Sequence, residues 1–395
     1  MRQALEAASE FTVAARLGSL LSTFSLFDMQ LKQIPRDALL RPLSAVSGIV
    51  ERRHTLPILA NVLLEQKNER LHITATDLEM QITAVADVPG KDGQATTVGA
   101  RKLQDLLRAL PDDAQLNVDA SGSKMTVKAG RSRFNLQTLA ASDYPRINVG
   151  QEQLQSITLP QRDFRSLLKL AEFAMAQQDI RYYLNGMLIV VDGGSLQVVA
   201  TDGHRLSWAS LAIGGEHPRA EVILPRKTVL ELSKLLEDTD APITIDILAN
   251  QARFRFGNVE LVSKVVDGKF PDYNRVIPAG HAKRIDIDRL TLLSALQRAA
   301  ILSNEKFRGV RLVLGDNQLK ILCTNSEQEE AEEELPVDYA GEALDIGFNI
   351  NYLLDVLSTV ASEKVDIAFG DANSSALVTL PGRDDYKYVV MPMRI

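Results

Sequence analysis

The chain states one pattern three times. An apolar-alternating segment, R-L-H-I-T-A-T-D at 70–77, returns as S-L-Q-V-V-A-T-D at 195–202 and as Q-L-K-I-L-C-T-N at 318–325, spaced 125 and then 123 residues apart. Each copy follows a helical pattern (38–50, 164–176, 290–303) and precedes a second one that opens at Ala100, Pro225 and Phe348, with the same two spacings. A unit of ~120 residues can bury a core of its own, whereas repeats of 20–50 residues must stack to do so. The sequence therefore reads as three similar domains in tandem, at 29–150, 151–281 and 282–395, with function expected to lie in their arrangement.

Within a repeat the order is strand, helix, strands, helix, strands. In the first copy, residues 39, 40, 43, 46, 49 and 50 form an apolar helical stripe, and alternation predicts strands at 58–66, 71–76 and 80–85. A second helix at 100–110 and strands near 115–119, 124–129 and 133–139 complete the unit. Helix pairs beside short antiparallel strands make an α+β architecture with helices on one face of each sheet. The junctions are expected at 141–145 and 269–273, where Pro145 and Pro271 impose an extended, linker-like path. Residues 1–28 stand outside the repeat; they make a poor signal peptide and are expected to be a mobile tail or a start upstream of the native one.

A single cysteine, Cys323, sits in a predicted strand, which excludes a disulfide framework and fits a reducing cytoplasm. No run of 18 apolar residues occurs, so no membrane-spanning helix and no membrane partner is expected. Chemistry finds little footing. The sequence Asp202-Gly203-His204-Arg205 reads as an acid, a base and an anion clamp, but Asp202 recurs as Asp77 and Asn325, and a residue repeated in every copy is expected to close a turn through its side-chain oxygen. There is no phosphate-binding loop, no metal-ligand spacing and no nucleophile elbow, so neither catalysis nor a cofactor nor a metal is expected.

Charge is uneven. The six predicted helices carry thirteen Lys or Arg against eight Asp or Glu, a net +5 in a chain of net −7. A positive helical layer on an acidic body suits a polyanion held without sequence readout. Arg101, Arg108, Arg162, Arg165, Lys169, Arg226, Lys234 and Arg298 are its candidate phosphate contacts.

Nine motifs then occur in order: T-L-P-I-L (55–59), T-D-L-E-M (76–80), G-R-S-R-F (130–134), R-Y-Y-L-N-G (181–186), A-T-D-G-H-R-L (200–206), V-D-G-K-F-P-D-Y-N-R-V-I-P (266–278), A-A-I-L-S-N-E-K-F-R-G-V (299–310), N-S-E-Q-E-E-A-E-E-E (325–334) and Y-V-V-M-P-M-R-I (388–395). On this threefold repeat they resemble the bacterial sliding clamps, the β subunits of DNA polymerase III, from residue 29 to 395. Departures are the extra 28 residues, Val98-Gly99 ahead of Ala-Arg-Lys, and Ser207-Trp208. The resemblance implies three clamp-type domains, a ring-shaped head-to-tail homodimer, and a non-enzymatic processivity factor. It would encircle duplex DNA and tether the polymerase α subunit, the clamp loader δ subunit and other clamp-motif proteins. A duplicate clamp of the antibiotic-resistance type, an oligomeric scaffold without DNA, and an acid/base enzyme at Asp202 and His204 are the rival readings.

Carried onto this chain, the resemblance assigns three sets of residues. The dimer interface takes Lys102, Arg131, Arg133 and Leu136, with Phe134 beside them, against Ile301, Leu302, Glu327 and Glu329. DNA contacts fall to Arg53, Arg101, Gln178, Tyr182 and Tyr183, the two tyrosines being read as the start of a strand with at least one exposed. A pocket for partner peptides takes Leu184, Thr201, Gly203, His204, Arg205, Leu206, Pro271, Arg275, Val276, Asn349, Tyr352, Ser375, Val389, Val390, Met391, Pro392, Met393 and Arg394. His204, Arg205 or Arg275 would hold the polar end of the peptide. Because Pro392 has no N–H for a central ladder, the tail is expected to turn away at an edge or rim.

Overall fold

The computed structural model describes residues 29–51 and 56–395, so the expectations for residues 1–28 and for Arg53 lie outside the described residues. Two compact units result: the described residues up to Asn148 with Asn258–Leu261, and Val149–Gly257 with Val262–Ile395. The first holds the first repeat and four residues of the middle one, and the second holds the rest.

The first unit runs β1 (Met29–Pro35), α1 (Arg36–Val46), β2 (Asn61–Lys67), β3 (Arg70–Thr76), β4 (Met80–Ala86), β5 (Ala95–Gly99), α2 (Ala100–Ala109), β6 (Gln115–Ser121), β7 (Lys124–Ala129) and β8 (Ser132–Leu139). Its strands lie side by side in the order β1-β6-β7-β8-β5-β2-β3-β4. The helices bury one stripe each, Leu39, Leu43 and Val46 from α1 and Leu103 and Leu107 from α2.

The middle repeat supplies β9 (Gln153–Pro160), α3 (Gln161–Glu172), β10 (Gly186–Thr201), β11 (Arg205–Pro225), α4 (Arg226–Leu235), β12 (Pro242–Leu248), β13 (Gln251–Phe256) and β14 (Val259–Lys264). The last repeat supplies β15 (Lys283–Asp288), α5 (Arg289–Ala300), β16 (Gly309–Gly315), β17 (Gln318–Thr324), β18 (Glu330–Pro336), β19 (Leu344–Asn349), α6 (Ile350–Thr359), β20 (Lys364–Phe369), β21 (Ala376–Leu380) and β22 (Arg383–Val390). One six-stranded sheet, β10-β11-β22-β21-β20-β15, joins the two repeats, with Leu206 opposite Val389 and Arg205 opposite Val390. The other sheet of the last repeat is β18-β17-β16-β19.

A shared clasp shows why these helices come in pairs. The last carbonyls of a helix have no partner of their own and attract a cation. Arg36, opening α1, donates to Leu110 O at the end of α2 (2.7 Å), and Arg289, opening α5, donates to Leu357 O near the end of α6 (2.7 Å). In the middle repeat Gln161 holds the chain just past α4 by accepting from Glu237 N (3.2 Å).

The structure corrects several boundaries. The first helix is α-helical only to Val46 and tightens into a 3₁₀ turn at Ser47–Ile49. The strand expected from residue 58 starts at Asn61, because Pro57 opens a 3₁₀ turn over Pro57–Ala60. The junctions are not free linkers. Tyr144 is buried and its hydroxyl donates to Asn61 O and Thr74 O, while Phe270 and Tyr273 pack into the core cluster of the second unit; both segments carry aromatics too large to leave in water.

Candidate functional sites

The repeated turn is the best-determined local feature. Asp77 Oδ1 accepts the amides of Glu79 (3.0 Å) and Met80 (2.8 Å); Asp202 Oδ1 accepts those of His204 (2.9 Å) and Arg205 (3.0 Å); Asn325 Oδ1 accepts those of Glu327 (2.9 Å) and Glu329 (3.0 Å). All three are the side-chain-closed turns expected from the sequence.

Around the middle turn the last two repeats meet: Arg205 reaches Asp355 and the Tyr352 ring, Leu206 lies opposite Val389, and the tail comes up to His204. Of the residues assigned to the peptide pocket, Thr201, Leu206, Leu184, Val389 and Val390 are buried, His204, Pro271, Arg275, Val276, Met391 and Arg394 are exposed, and Gly203, Asn349, Tyr352, Ser375, Pro392 and Met393 are half-buried. The strand β22 lies between β11 and β21 and is central, so the tail leaves the sheet after Val390 with Pro392 outside the ladder. Met391 N then donates to His204 O (2.8 Å) and Met393 N to Gly347 O (2.7 Å), stretching the tail from one repeat to the next.

Arg205 departs from its expected role of holding a peptide end. Its guanidinium donates to Asp202 (3.1 Å), Asp355 (2.5 Å) and Phe173 O (2.6 Å), and lies 5.4 Å from the Phe173 ring and 4.4 Å from the Tyr352 ring. Burial opposes its charge, but Tyr388, Asp355 and Asp202 outweigh that and hold its pKa above the ordinary value. A guanidinium bonded through all three of its nitrogens and set against two rings is a clasp between repeats rather than a ligand arm. His204 and Arg275 remain on the surface. Phe307, 55 % exposed, was not expected from the sequence. Asn304 Oδ1 holds its loop by accepting from Lys306 N and Phe307 N, and Arg308 O accepts from Ile350 N at the start of α6. A lone aromatic in the polar run N-E-K-F-R-G was the available signal.

The assigned DNA residues separate. Tyr182 and Tyr183 lie in a 3₁₀ turn, Tyr182–Leu184, and not in a strand, which begins at Gly186. Tyr182 is 57 % exposed and meets Tyr183 edge-on (centroids 5.9 Å), while Tyr183 leans on the core cluster. Gln178 is exposed in the same loop at φ +56°. Arg101 is on the surface of α2 and donates to Val50 O (3.2 Å).

The helical charge is less available than its count suggests. Arg226 is drawn in by the end of α3, donating to Glu172 O (3.5 Å) and Met175 O (3.2 Å), and its burial lowers its pKa. Arg165 donates to Ser233 O, Arg162 pairs with Asp240 (2.8 Å), Lys234 lies 3.7 Å from Glu231, and Arg298 binds Glu333 (2.7 Å). The last repeat's two helices carry Arg289 and Arg298 against Asp288 and Asp355, so the net positive charge of the helices lies on the first two repeats.

The interface residues form two sheet edges. β8 meets β5 only at Thr138 and Leu139, so 132–137 face outward on one side; Arg131 and Arg133 there are exposed and Phe134 and Leu136 half-buried. Beside them Lys102, Leu136, Val50 and Leu139 line a cavity of about 440 Å³. In the second unit β18 is the outer strand of its sheet, with Glu327, Glu329, Glu330 and Glu332 exposed. Ile301, just past α5, is 78 % exposed and Leu302 half-buried.

The fold defines a three-domain protein with net positive charge on its helices, two outward sheet edges of opposite charge, and a place where the tail of the last repeat meets the turn of the middle one. Three segments match the DNA polymerase III beta subunit: its N-terminal domain at 29–148, central domain at 158–272 and C-terminal domain at 274–394. The β sliding clamps of Pseudomonas putida and Escherichia coli K12 are 49% and 47% identical, each alignment covering 92% of this chain and 99% of the relative. The crystal structure of the Pseudomonas aeruginosa subunit shares 47% identity with TM-score 0.89, over 93% of this chain and 100% of that one; the Caulobacter crescentus clamp shares 38% with TM-score 0.89, over 94% and 100%. The chain belongs to the β subunits of bacterial DNA polymerase III, and it is a DNA sliding clamp.

Proposed function

We propose that two copies of this clamp close head to tail, edge β8 of one against edge β18 of the other, into a ring of six domains around duplex DNA. The carrying observation is the pair of unlike edges: unpaired strand edges seek a strand, and unlike ends on one chain make a contact that closes when the rotation allows. Arg131 and Arg133 against the glutamates set direction, and Ile301 and Leu302 against the cavity beside Lys102 and Leu136 supply the apolar centre. Replacing both Ile301 and Leu302 by Ala should leave a folded monomer by gel filtration; a persistent dimer at sub-micromolar concentration would refute this interface.

Inside such a ring the helices of the first two repeats would meet phosphates without reading bases, and Tyr182, Gln178 and Arg101 would touch the duplex directly. Retention is then topological: clamps loaded on nicked circles should survive high salt and slide off once the circle is cut. Equal loss from both forms would overturn encirclement. The composite pocket around His204 and Met391 would take short extended peptides of the polymerase α subunit, the clamp loader δ subunit and other partners, which exchange because they share it. No catalytic role is assigned, since Asp202 gives one oxygen to two turn amides and the other to Arg205 rather than to His204.

A further inference from the structure

Two glycines on adjacent strands of the last repeat are explained by what lies over them. Neither Gly309 nor Gly347 has a positive φ, so the backbone alone does not demand glycine at either place. Space does. A Cβ on Gly347 would fall 2.4 Å from Met393 O and 2.8 Å from Ile395 Cδ1, and one on Gly309 would fall 3.2 Å from Ile395 Cδ1. β16 and β19 set the two side by side, Gly309 opposite Asn349 and Arg311 opposite Gly347. The pair thus forms a notch in which the Ile395 side chain sits, while Gly347 O accepts from Met393 N (2.7 Å).

We propose that this two-glycine notch, filled by Ile395, fixes residues 391–393 as one wall of the peptide pocket, so that Gly347 and Ile395 are positioning residues for partner binding. The inference rests on the pocket reading above and adds its anchor. Strand β22 ends at Val390, and every residue after it is exposed or half-buried, so docking the tail contributes little to the core. What it fixes is place. The tail is tied at Met391 to the turn of the middle repeat and at Met393 to β19, with Pro392 between them carrying no N–H. On the same strand, two residues on and facing the same side, stands Asn349, which caps α6 by accepting from Asn351 N. Removing the seat for Ile395 releases one tie, and the two methionines that would line the pocket then have to be ordered by the incoming peptide.

The test measures binding of the purified DNA polymerase III α subunit to the full-length clamp by surface plasmon resonance. Gly347→Ala should weaken binding about tenfold and Ile395→Ala about threefold, whereas Ile395→Val should stay within about twofold. Methyl NMR supplies a readout that a general loss of stability would not move: the Met391 and Met393 signals should shift in Gly347→Ala while Tm changes by no more than about 2 °C. Wild-type binding matched within about twofold by both Gly347→Ala and Ile395→Ala would overturn the anchor and leave the pocket standing. Failure of the wild type to bind would overturn the pocket reading and the anchor with it. Should Gly347→Ala fail to fold, Ile395→Ala decides, since it trims a side chain already 61 % exposed.

Discussion

The turn at Asp77 and the turn at Asp202 share a backbone and differ in what they hold. In both, a threonine hydroxyl donates to the carbonyl four residues on (Thr76 to Met80 O, 2.8 Å; Thr201 to Arg205 O, 2.6 Å) and accepts from the amide two residues on. Both pass through the left-handed region, at Leu78 (φ +75°) and Gly203 (φ +89°). The fourth residue then separates them. Met80 is buried and completes a core, whereas Arg205 reaches between the Phe173 and Tyr352 rings to Asp355 and joins two repeats. One hydrogen-bonded frame thus carries either a packing residue or an interdomain clasp, and the tail of the last repeat is tied only to the second, at His204 O.

The largest effect follows from deleting the clasp. Arg205→Ala leaves Asp202 and Asp355 without their partner and should cost about 3 kcal/mol in urea unfolding while also weakening α-subunit binding. Met80→Ala should cost a comparable 2–3 kcal/mol, on the order expected for a core methionine, yet leave binding unchanged. Equal loss of binding in both variants would break the comparison.

Next in size is the charge on the turn itself. Asn325 closes the third turn with an amide, so an acceptor oxygen is enough for the backbone. Asp202→Asn should therefore keep the turn and lose only part of the ion pair with Arg205, costing about 1–2 kcal/mol, and Asp202→Ala should cost more because two amides lose their acceptor. If the two substitutions prove equally costly, the turn bonds contribute nothing and the shared frame is an accident of packing.

A smaller effect is expected at Gly203. A Cβ there sits in a left-handed backbone and 2.8 Å from Arg181 Nη2, the far end of a flexible side chain that can move aside. Since Leu78 already occupies this conformation in the first turn, Gly203→Ala should cost only about 1 kcal/mol by thermal unfolding. A much larger loss would mean that Arg181 is locked against the turn.

The sequence carried the frame of this comparison and missed its contents. Threefold recurrence of Thr-Asp or Thr-Asn, with periodic helices on either side, was enough to place six helices and the three turns, because local patterns repeated at one spacing reinforce each other. The role of Arg205 was out of reach: its partners Phe173, Tyr352 and Asp355 lie up to 150 residues away, and only the β11–β22 pairing brings Tyr352 and Asp355 beside it. Counting helix charges misled for the same reason. Arg226 and Arg298 read as free cations until the end of α3 and Glu333 on β18 are placed against them. The strand assumed at Tyr182 failed because the two bulky tyrosines resembled a β segment, whereas the chain spends them on a tight turn ahead of Gly186.

The smallest expected effect concerns the loop that leans on the middle turn. Arg181 donates to both oxygens of Asp179 and also to Asp202 O (3.2 Å), linking the loop that displays Tyr182 to the turn that carries Arg205. Hydrogen bonds from the Arg181 side chain and backbone hold the Asp179 carboxyl down at about 2. A carboxyl lowered on folding stabilises the folded loop above the ordinary aspartate value of about 3.9, and that contribution fades as pH falls through the folded value. Between pH 6 and pH 4 the ring signals of Tyr182 and Tyr183 in NMR should therefore stay fixed, and they should move only as the pH is taken from about 4 toward 2. Asp179→Asn should move the same signals at neutral pH and remove the acid transition. A wild-type midpoint well above 4 would show that Arg181 does not hold Asp179 in solution, and the loop would then be independent of the turn.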